Sequence, residues 1–320
     1  MTEAKTENKL KKLNIVYMGS PDFAVLPLKA LLEAGYNISL VVTQPDRPKG
    51  RKAVLTPTPV KAFAISRNLP VISPNNVNEE AFLAQIKAAK PDLLVVTAFG
   101  QILKEPLLNL SPLGAVNIHA SLLPKYRGAA PIHWAIINGE DITGITTMYM
   151  DKGLDTGDMI LQQSVAIEPM DTIGTLHDKL ARVGSELIVD TVALIADGLA
   201  PREPQENAHA SYASKIDRSL EKIAWHKENT AVCNLIRGLS PSPAAYTLYE
   251  GQPLKIVLAA LSDESSSLPV GTVYKSSNNK VNVVCGKGLL QLLKVKPAGK
   301  GVMAAVDWWR GQKKENALFE

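Results

Sequence analysis

The chain has 320 residues, 46% hydrophobic and 21% charged with a net charge of +4, enough to bury a sizeable core and to build two domains. No apolar run approaches the roughly 20 residues needed to cross a bilayer. The charged opening MTEAKTENKLKK lacks the apolar core of a secretory signal, so residues 1–12 are expected to be a disordered tail. The two cysteines, Cys233 and Cys285, match no zinc or redox spacing. A reducing, cytoplasmic compartment is the natural expectation.

In chain order, Leu13–Met18 reads as a buried strand, followed by GSPDF and an apolar-periodic helix that stops at Gly35. Strands are expected at Asn37–Val42, Leu69–Ile72, Pro91–Ala98 and Ala115–His119, then a long loop and a helix ending near Asn138-Gly139. Gly144–Met150 and Met159–Ile167 read as two more strands around a Gly/Asp-rich turn. A long helix follows Asp171 and Thr172, with Leu176, Leu180, Val183 and Leu187 recurring at three and four, and ends at Gly198. Strands alternating with helices predict βαβ units: an α/β fold with a Rossmann-like, mostly parallel sheet.

Pro201, Pro204, Gln205 and Asn207 read as a linker, which sets the expected domains at 1–205 and 206–320. Past it, a short helical stretch at Lys227–Leu239 precedes five closely spaced β-like runs, from AAYTLYEG to LLQLLKVKP. They suggest a small OB-like barrel. Residues 206–320 carry the positive excess, 15 Lys and Arg against 10 Asp and Glu, a weak pointer to a polyanionic partner.

The first βα turn, Met18-Gly19-Ser20-Pro21-Asp22, has one of the three glycines a dinucleotide site needs, and Pro21 removes a donor. NAD binding is disfavoured. Asn117 and His119, two apart on a strand, project to one face at the edge where open α/β sheets bind ligands. They are an amide donor and a proton carrier, or else two satisfied polar residues at a strand end. The turn Asp151–Asp158 places three carboxylates together. It does not fit a calcium loop, since Thr156 and Gln162 stand where Gly and Glu belong. By spacing alone it is an ordinary hairpin turn; beside His119, a carboxylate from it would orient the ring. His177 and His133 read as packing residues. The proline-rich loop Thr43–Lys61 bears Arg47, Lys49, Arg51, Lys52 and Lys61, either solvated or gripping phosphates.

Taken together, GSPDFA, TQPDRPKGR, NIHASLLPKYRGAAPI, GLDTGDMI and LLKVKPAGKGVM resemble the methionyl-tRNA formyltransferase family over nearly the whole chain. The resemblance implies a Rossmann-like catalytic domain and an OB-like tRNA-binding domain. It implies 10-formyltetrahydrofolate as donor and methionyl initiator tRNA as acceptor, with no metal and no obligate protein partner. It places Asn117, His119 and Asp155 on the catalytic positions and Ser121, Leu122, Leu123 and Pro124 on the folate-contacting segment. Phe99, Gly100, Gln101, Ile102 and Leu103 would line the pterin pocket, and Arg51, with Arg47, Lys49 and Lys52, belongs to the tRNA-facing loop. Ala53 and Val54 after Lys52, SPSPAA in place of an NPWP-type turn, and Ala120 in place of Gly depart from the family pattern.

The chemistry so implied is direct amine attack, the oxyanion held by Asn117 and protonated His119, with Asp155 assisting proton relay. The rival readings are a folate-dependent formyltransferase or hydrolase with another acceptor, and a non-catalytic RNA-binding protein on the same scaffold.

Overall fold

The computed structural model describes residues 13–50 and 53–320; the expected tail, Arg51 and Lys52 lie outside the described residues. The chain divides into two compact units. The first holds the described residues up to Gly128 with Gly144–Val165 and His177–Tyr212. The second holds Ala129–Thr143, Ala166–Leu176 and Ala213–Glu320.

The chain opens with β1 (Asn14–Gly19), α1 (Val25–Glu33), β2 (Asn37–Val42), a hairpin of β3 (Arg47–Lys49) and β4 (Val54–Thr56), and α2 (Pro59–Ser66). Next come β5 (Val71–Ile72), α3 (Glu80–Ala88), β6 (Leu93–Thr97), α4 (Glu105–Leu108), β7 (Ala115–His119) and the short β8 (Arg127–Gly128). After α5 (Pro131–Ile137) the chain forms β9 (Ile142–Tyr149), β10 (Met159–Ala166), the long α6 (Ile173–Ala196) and β11 (Tyr212–Ala213).

Seven strands of the first unit form one sheet in the order β10-β9-β7-β6-β1-β2-β5. β7, β6, β1, β2 and β5 run parallel, and β9 lies antiparallel to β7. All five residues of β6, LLVVT, are buried, because a parallel sheet is covered on both faces. On one face Val16, Met18, Val42, Val96 and Ala115 pack with Phe99, Leu103 and Leu107. On the other, Gly184 of α6 lies against Ile118 and Ile145.

Part of the stretch read as the open loop Thr43–Lys61 is ordered. Arg47 pairs with Thr56 and Lys49 with Val54 across β3 and β4, and α2 begins at Pro59. The Thr58 hydroxyl accepts from Lys61 N at 3.1 Å, and Pro59, lacking an N–H, suits the first helical turn. Pro48 lies within β3, paired with Leu55, and Pro59 opens α2.

In the second unit α7 (Asn229–Leu239) packs against α5, with Gly238 close to Ile137 and the His133 carbonyl. Its strands are β12 (Tyr246–Tyr249), β13 (Gln252–Ser262), β14 (Thr272–Lys275), β15 (Val281–Val284), β16 (Leu289–Pro297), β17 (Met303–Ala304) and β18 (Asn316–Leu318), with α8 (Ala305–Arg310) before the last. They form a curled antiparallel sheet in the order β12-β13-β16-β15-β14-β18. Register shifts in β13 around Leu258 let this long strand coil. The two ends of the sheet meet: Leu248 and Glu320 exchange both backbone hydrogen bonds, at 3.1 and 3.0 Å. The result is a small OB-like barrel.

Trp225, Tyr249 and Trp308 surround Phe319 inside that barrel, with ring centroids 5.5, 6.1 and 6.2 Å from it. Cys233 and Cys285 share the same core, both unpaired, and burial pushes the Cys285 thiol up to about 12. Among the described residues no helix is long and apolar enough to cross a membrane.

Phe319→Ala should destabilise the second unit by about 3–5 kcal/mol, the usual cost of truncating a buried aromatic. All four tryptophans lie in that unit, so a urea titration followed by tryptophan fluorescence reads the loss directly.

Candidate active site

The row of side chains that is apolar across β2, β1 and β6 turns polar at β7. Met18, Val42, Val96 and Asn117 are register partners across β1, β2, β6 and β7, and His119 follows two residues on, opposite Thr146 of β9. Asn117 and His119 therefore share the face of the Val96 core. The Asn117 carboxamide is half-buried and, among the described residues, makes no hydrogen bond within the protein.

Next to them, the crevice between β1 and β6, where a Rossmann sheet reverses its strand order, is bridged by hydrogen bonds. The Ser20 hydroxyl donates to the Phe99 carbonyl at 3.0 Å and the Gln44 amide donates to the same oxygen at 3.2 Å. The chemistry-bearing groups lie one strand further on, at the border of β7 and β9.

His119 is 5% exposed and both ring nitrogens face acceptors. Nε2 lies 2.9 Å from the Tyr126 carbonyl, which can only accept, so Nε2 carries a proton. Nδ1 lies 3.5 Å from Oδ2 of Asp155. A doubly protonated ring donates in both directions, whereas a neutral ring donates in one. The same Asp155 oxygen accepts from Gly128 N at 2.8 Å.

The three carboxylates of the hairpin turn have separate tasks. Asp151 organises the turn, accepting from Gly153 N at 2.9 Å and from the Thr156 hydroxyl at 2.8 Å. Asp155 faces His119. Asp158 lies 3.7 Å from Arg202, whose guanidinium stacks on Tyr149. Gly157 follows from a close approach, since a Cβ there would overlap the Tyr149 carbonyl oxygen. Among the described residues no group of three or more His, Cys, Asp or Glu gathers as metal ligands.

The segment after His119 is held from beneath. Thr146 Oγ1 accepts from Leu123 N at 3.1 Å and donates to the Ser121 carbonyl at 2.7 Å, while Gln162 donates to the Leu123 carbonyl at 2.9 Å. The Ser121 hydroxyl turns inward to the Lys125 carbonyl at 2.6 Å. Leu123 packs with Met148 and Met159, and Leu122 covers Gly144. Pro124 is half-buried and its carbonyl accepts from Ser211 N at 3.3 Å.

In the Phe99–Leu103 loop, Phe99 and Leu103 point into the core. Gln101 is tied to Val77 N and the Pro74 carbonyl at 2.8 and 3.0 Å. Gly100 and the 83% exposed Ile102 are what this loop turns outward. Arg47 and Lys49 stand exposed on β3, away from the trio in sequence and element.

Sequence reasoning passes over four contributors: the Tyr126 carbonyl, Gly128 N, Thr146 and Gln205. The first two are backbone groups with no side-chain signature. Thr146 sits in an ordinary strand. Gln205 lies in a stretch that reads as a linker, and no composition signal separates it from one.

A family profile described as Formyl transferase matches residues 11–192, and one described as Formyl transferase, C-terminal domain, matches residues 215–313. The two matches together define a two-part formyl transferase. The methionyl-tRNA formyltransferase of Pelotomaculum thermopropionicum is 47% identical over 300 residues, covering 93% of this chain and 96% of that protein. That of Bacillus licheniformis is 47% identical over 298 residues, covering 93% and 94%. The chain belongs to the methionyl-tRNA formyltransferase family. Among solved structures, a sugar 3N-formyl transferase, WlaRD, determined with dTDP and 5-N-formyl-THF, superposes with a TM-score of 0.67 at 22% identity, covering 90% of this chain and 99% of that one. The N-formyltransferase of Helicobacter canadensis, in complex with folinic acid and dTDP-3-aminofucose, gives 0.65 at 20% identity, covering 88% and 98%. These two likenesses are of fold.

Thr146→Val should leave Leu123 N buried without an acceptor, at a cost of about 1–3 kcal/mol. Chemical denaturation measures that loss. Hydrogen exchange at the Leu123 amide should accelerate in the variant.

Proposed function

We propose that the protein transfers the formyl group of 10-formyltetrahydrofolate to the α-amino group of methionyl initiator tRNA. The observation that carries this reading is similarity at 43–47% identity over at least 93% of the chain to relatives named for that activity, second unit included. The Asn117–His119–Asp155 arrangement is of the kind the reaction needs. Its compartment is taken to be the cytoplasm, where charged tRNA and reduced folate are at hand.

The amine attacks the formyl carbon, a tetrahedral oxyanion forms, and the bond to the folate nitrogen then breaks. One proton leaves the amine and one reaches the departing nitrogen, so no net acid or base is consumed. Asn117, with its unengaged carboxamide, is the donor assigned to the oxyanion. His119, held between the Tyr126 carbonyl and Asp155, is assigned in its protonated form to the same oxyanion. Asp155 accepts the amine proton and passes it on. The Ser121–Pro124 backbone and the outward Gly100 and Ile102 are assigned to the folate. Arg47 and Lys49 on β3, together with Arg51 and Lys52 of the same basic stretch of sequence, are assigned to tRNA phosphates, which such side chains position without reading sequence.

Purified protein given 10-formyltetrahydrofolate should formylate charged initiator tRNA in preference to amino sugar nucleotides or water; preferential turnover of either alternative acceptor would refute the reading. Asn117→Ala should lower kcat by about 100- to 1000-fold, the measured range for one oxyanion donor, and leave folate affinity nearly unchanged. The Arg47→Ala, Arg51→Ala double variant should bind tRNA more weakly. Its log K against log salt slope should flatten by about 0.9 for each duplex phosphate that is no longer neutralised, or about 0.7 in a single strand.

A further inference from the structure

The catalytic carboxylate arrives from an awkward direction. Tyr149, at the end of β9, stands opposite Val116 near the start of β7, while His119 is opposite Thr146. β9 therefore passes His119 and ends about 10 Å beyond it, at about 3.3 Å per residue of strand, so the turn that follows has to fold back to reach it. Asp155 makes that return in a left-handed conformation, φ 54°, a region that residues other than glycine enter less readily. Something outside the turn has to hold it.

That support comes from the segment following α6. Glu203 and Met159 exchange backbone hydrogen bonds at 2.8 and 3.0 Å, which fixes residues 203–205 alongside the start of β10. From there the Gln205 amide nitrogen donates to the carbonyl of Asp155 itself at 2.9 Å and to that of Gly157 at 2.8 Å. Gln205 Oε1 accepts from Nε of Arg127 at 3.0 Å, and Arg127 Nη1 donates to the Asn207 side-chain oxygen at 3.0 Å.

The polarity of this network is forced. A guanidinium only donates, so the Gln205 oxygen must face Arg127 and its NH2 must face the two carbonyls. Only a carboxamide satisfies both sides: a carboxylate would oppose two carbonyl oxygens, and a hydrocarbon would leave three groups unmet. Arg127 is 2% exposed, pairs with no carboxylate among the described residues, and leaves Nη2 without a partner. A buried cation held by neutral amides alone is a costly element, and here it is placed next to Gly128, whose N–H anchors the Asp155 carboxylate.

We propose that Gln205, oriented by Arg127, is a positioning residue that holds Asp155 against His119. This rests on the proposed catalytic role of Asp155 and adds to it a requirement lying 50 residues away, in the segment that sequence alone assigns to a linker.

The test compares Gln205→Leu, Gln205→Glu and Asp155→Asn, singly and as the Gln205→Leu, Asp155→Asn double variant, in single-turnover formyl transfer with the full-length protein. Misplacing a catalytic group by about 1 Å costs on the order of 100-fold. Both Gln205 variants should therefore lose about 10- to 100-fold in rate while KM for folate and for tRNA stays within about threefold. In the Asp155→Asn background Gln205→Leu should cost less than about twofold, since residues acting through one another are non-additive. If both Gln205 variants keep wild-type rates, or the Gln205 loss multiplies in full on top of Asp155→Asn, the positioning role is overturned. An Asp155→Asn variant with an unchanged rate would instead sink the reading of the catalytic trio, a separate outcome. Glutamate at 205 stays polar and close in size, so it keeps the test open if leucine impairs folding.

Discussion

An imidazole held between two acceptors is the interaction around which the first unit is arranged. His119 sits at the end of β7 with the Tyr126 carbonyl on one nitrogen and the Asp155 carboxylate on the other. Neither acceptor is supplied by a neighbour in a regular element. Tyr126 comes from the loop after β7, held because its own N–H donates to the Ser211 hydroxyl. Asp155 comes from a turn that begins a strand's length away and has to be bent back over the sheet. The absence of a Cβ at Gly157, the N–H of Gly128 and the donors of Gln205 each serve that return path. The ring stays fixed because its surroundings are fixed from several independent directions.

The strand order explains why the polar cluster lies beside β9, one strand away from the usual nucleotide crevice. Between β1 and β6, where the winding reverses, Ser20, Gln44 and Phe99 tie the two edges together, so the crevice is given over to cohesion. One strand further on, β9 runs antiparallel to β7 and breaks the pattern of helical crossovers. A hairpin can follow it, and a hairpin turn can lie over the sheet face where a crossover helix would otherwise cover it. The antiparallel strand is thus what gives His119 a carboxylate partner.

Much of this was legible in the sequence for physical reasons. PDLLVVTA and AVNIH read as strands because a strand buried on both faces must be almost continuously apolar. The polar pair inside AVNIH was conspicuous because that rule is broken there. Period two then put Asn117 and His119 on one face without any structure. The five β-runs after residue 240 were visible because turn residues separate them. By contrast, α2 and the β3–β4 hairpin were hidden in a proline-rich stretch, where prolines read as breakers although Pro48 lies within β3 and Pro59 opens α2. The closing strand at Asn316–Leu318 was too short to carry a period of its own, and its pairing through Glu320 depends on barrel curvature.

The sequence by itself determined the α/β order of the first two-thirds, the small barrel after it, and the two polar residues at the end of β7, because each is written in local periodicity. Tertiary structure alone decided which of the three carboxylates in DKGLDTGD meets the imidazole. Composition treats Asp151, Asp155 and Asp158 alike; only the folded turn gives the first to its own backbone, the second to His119 and the third to Arg202. It likewise decided that Gln205 meets the Asp155 turn, since a hydrogen bond between residues 50 apart leaves no trace in the spacing of either.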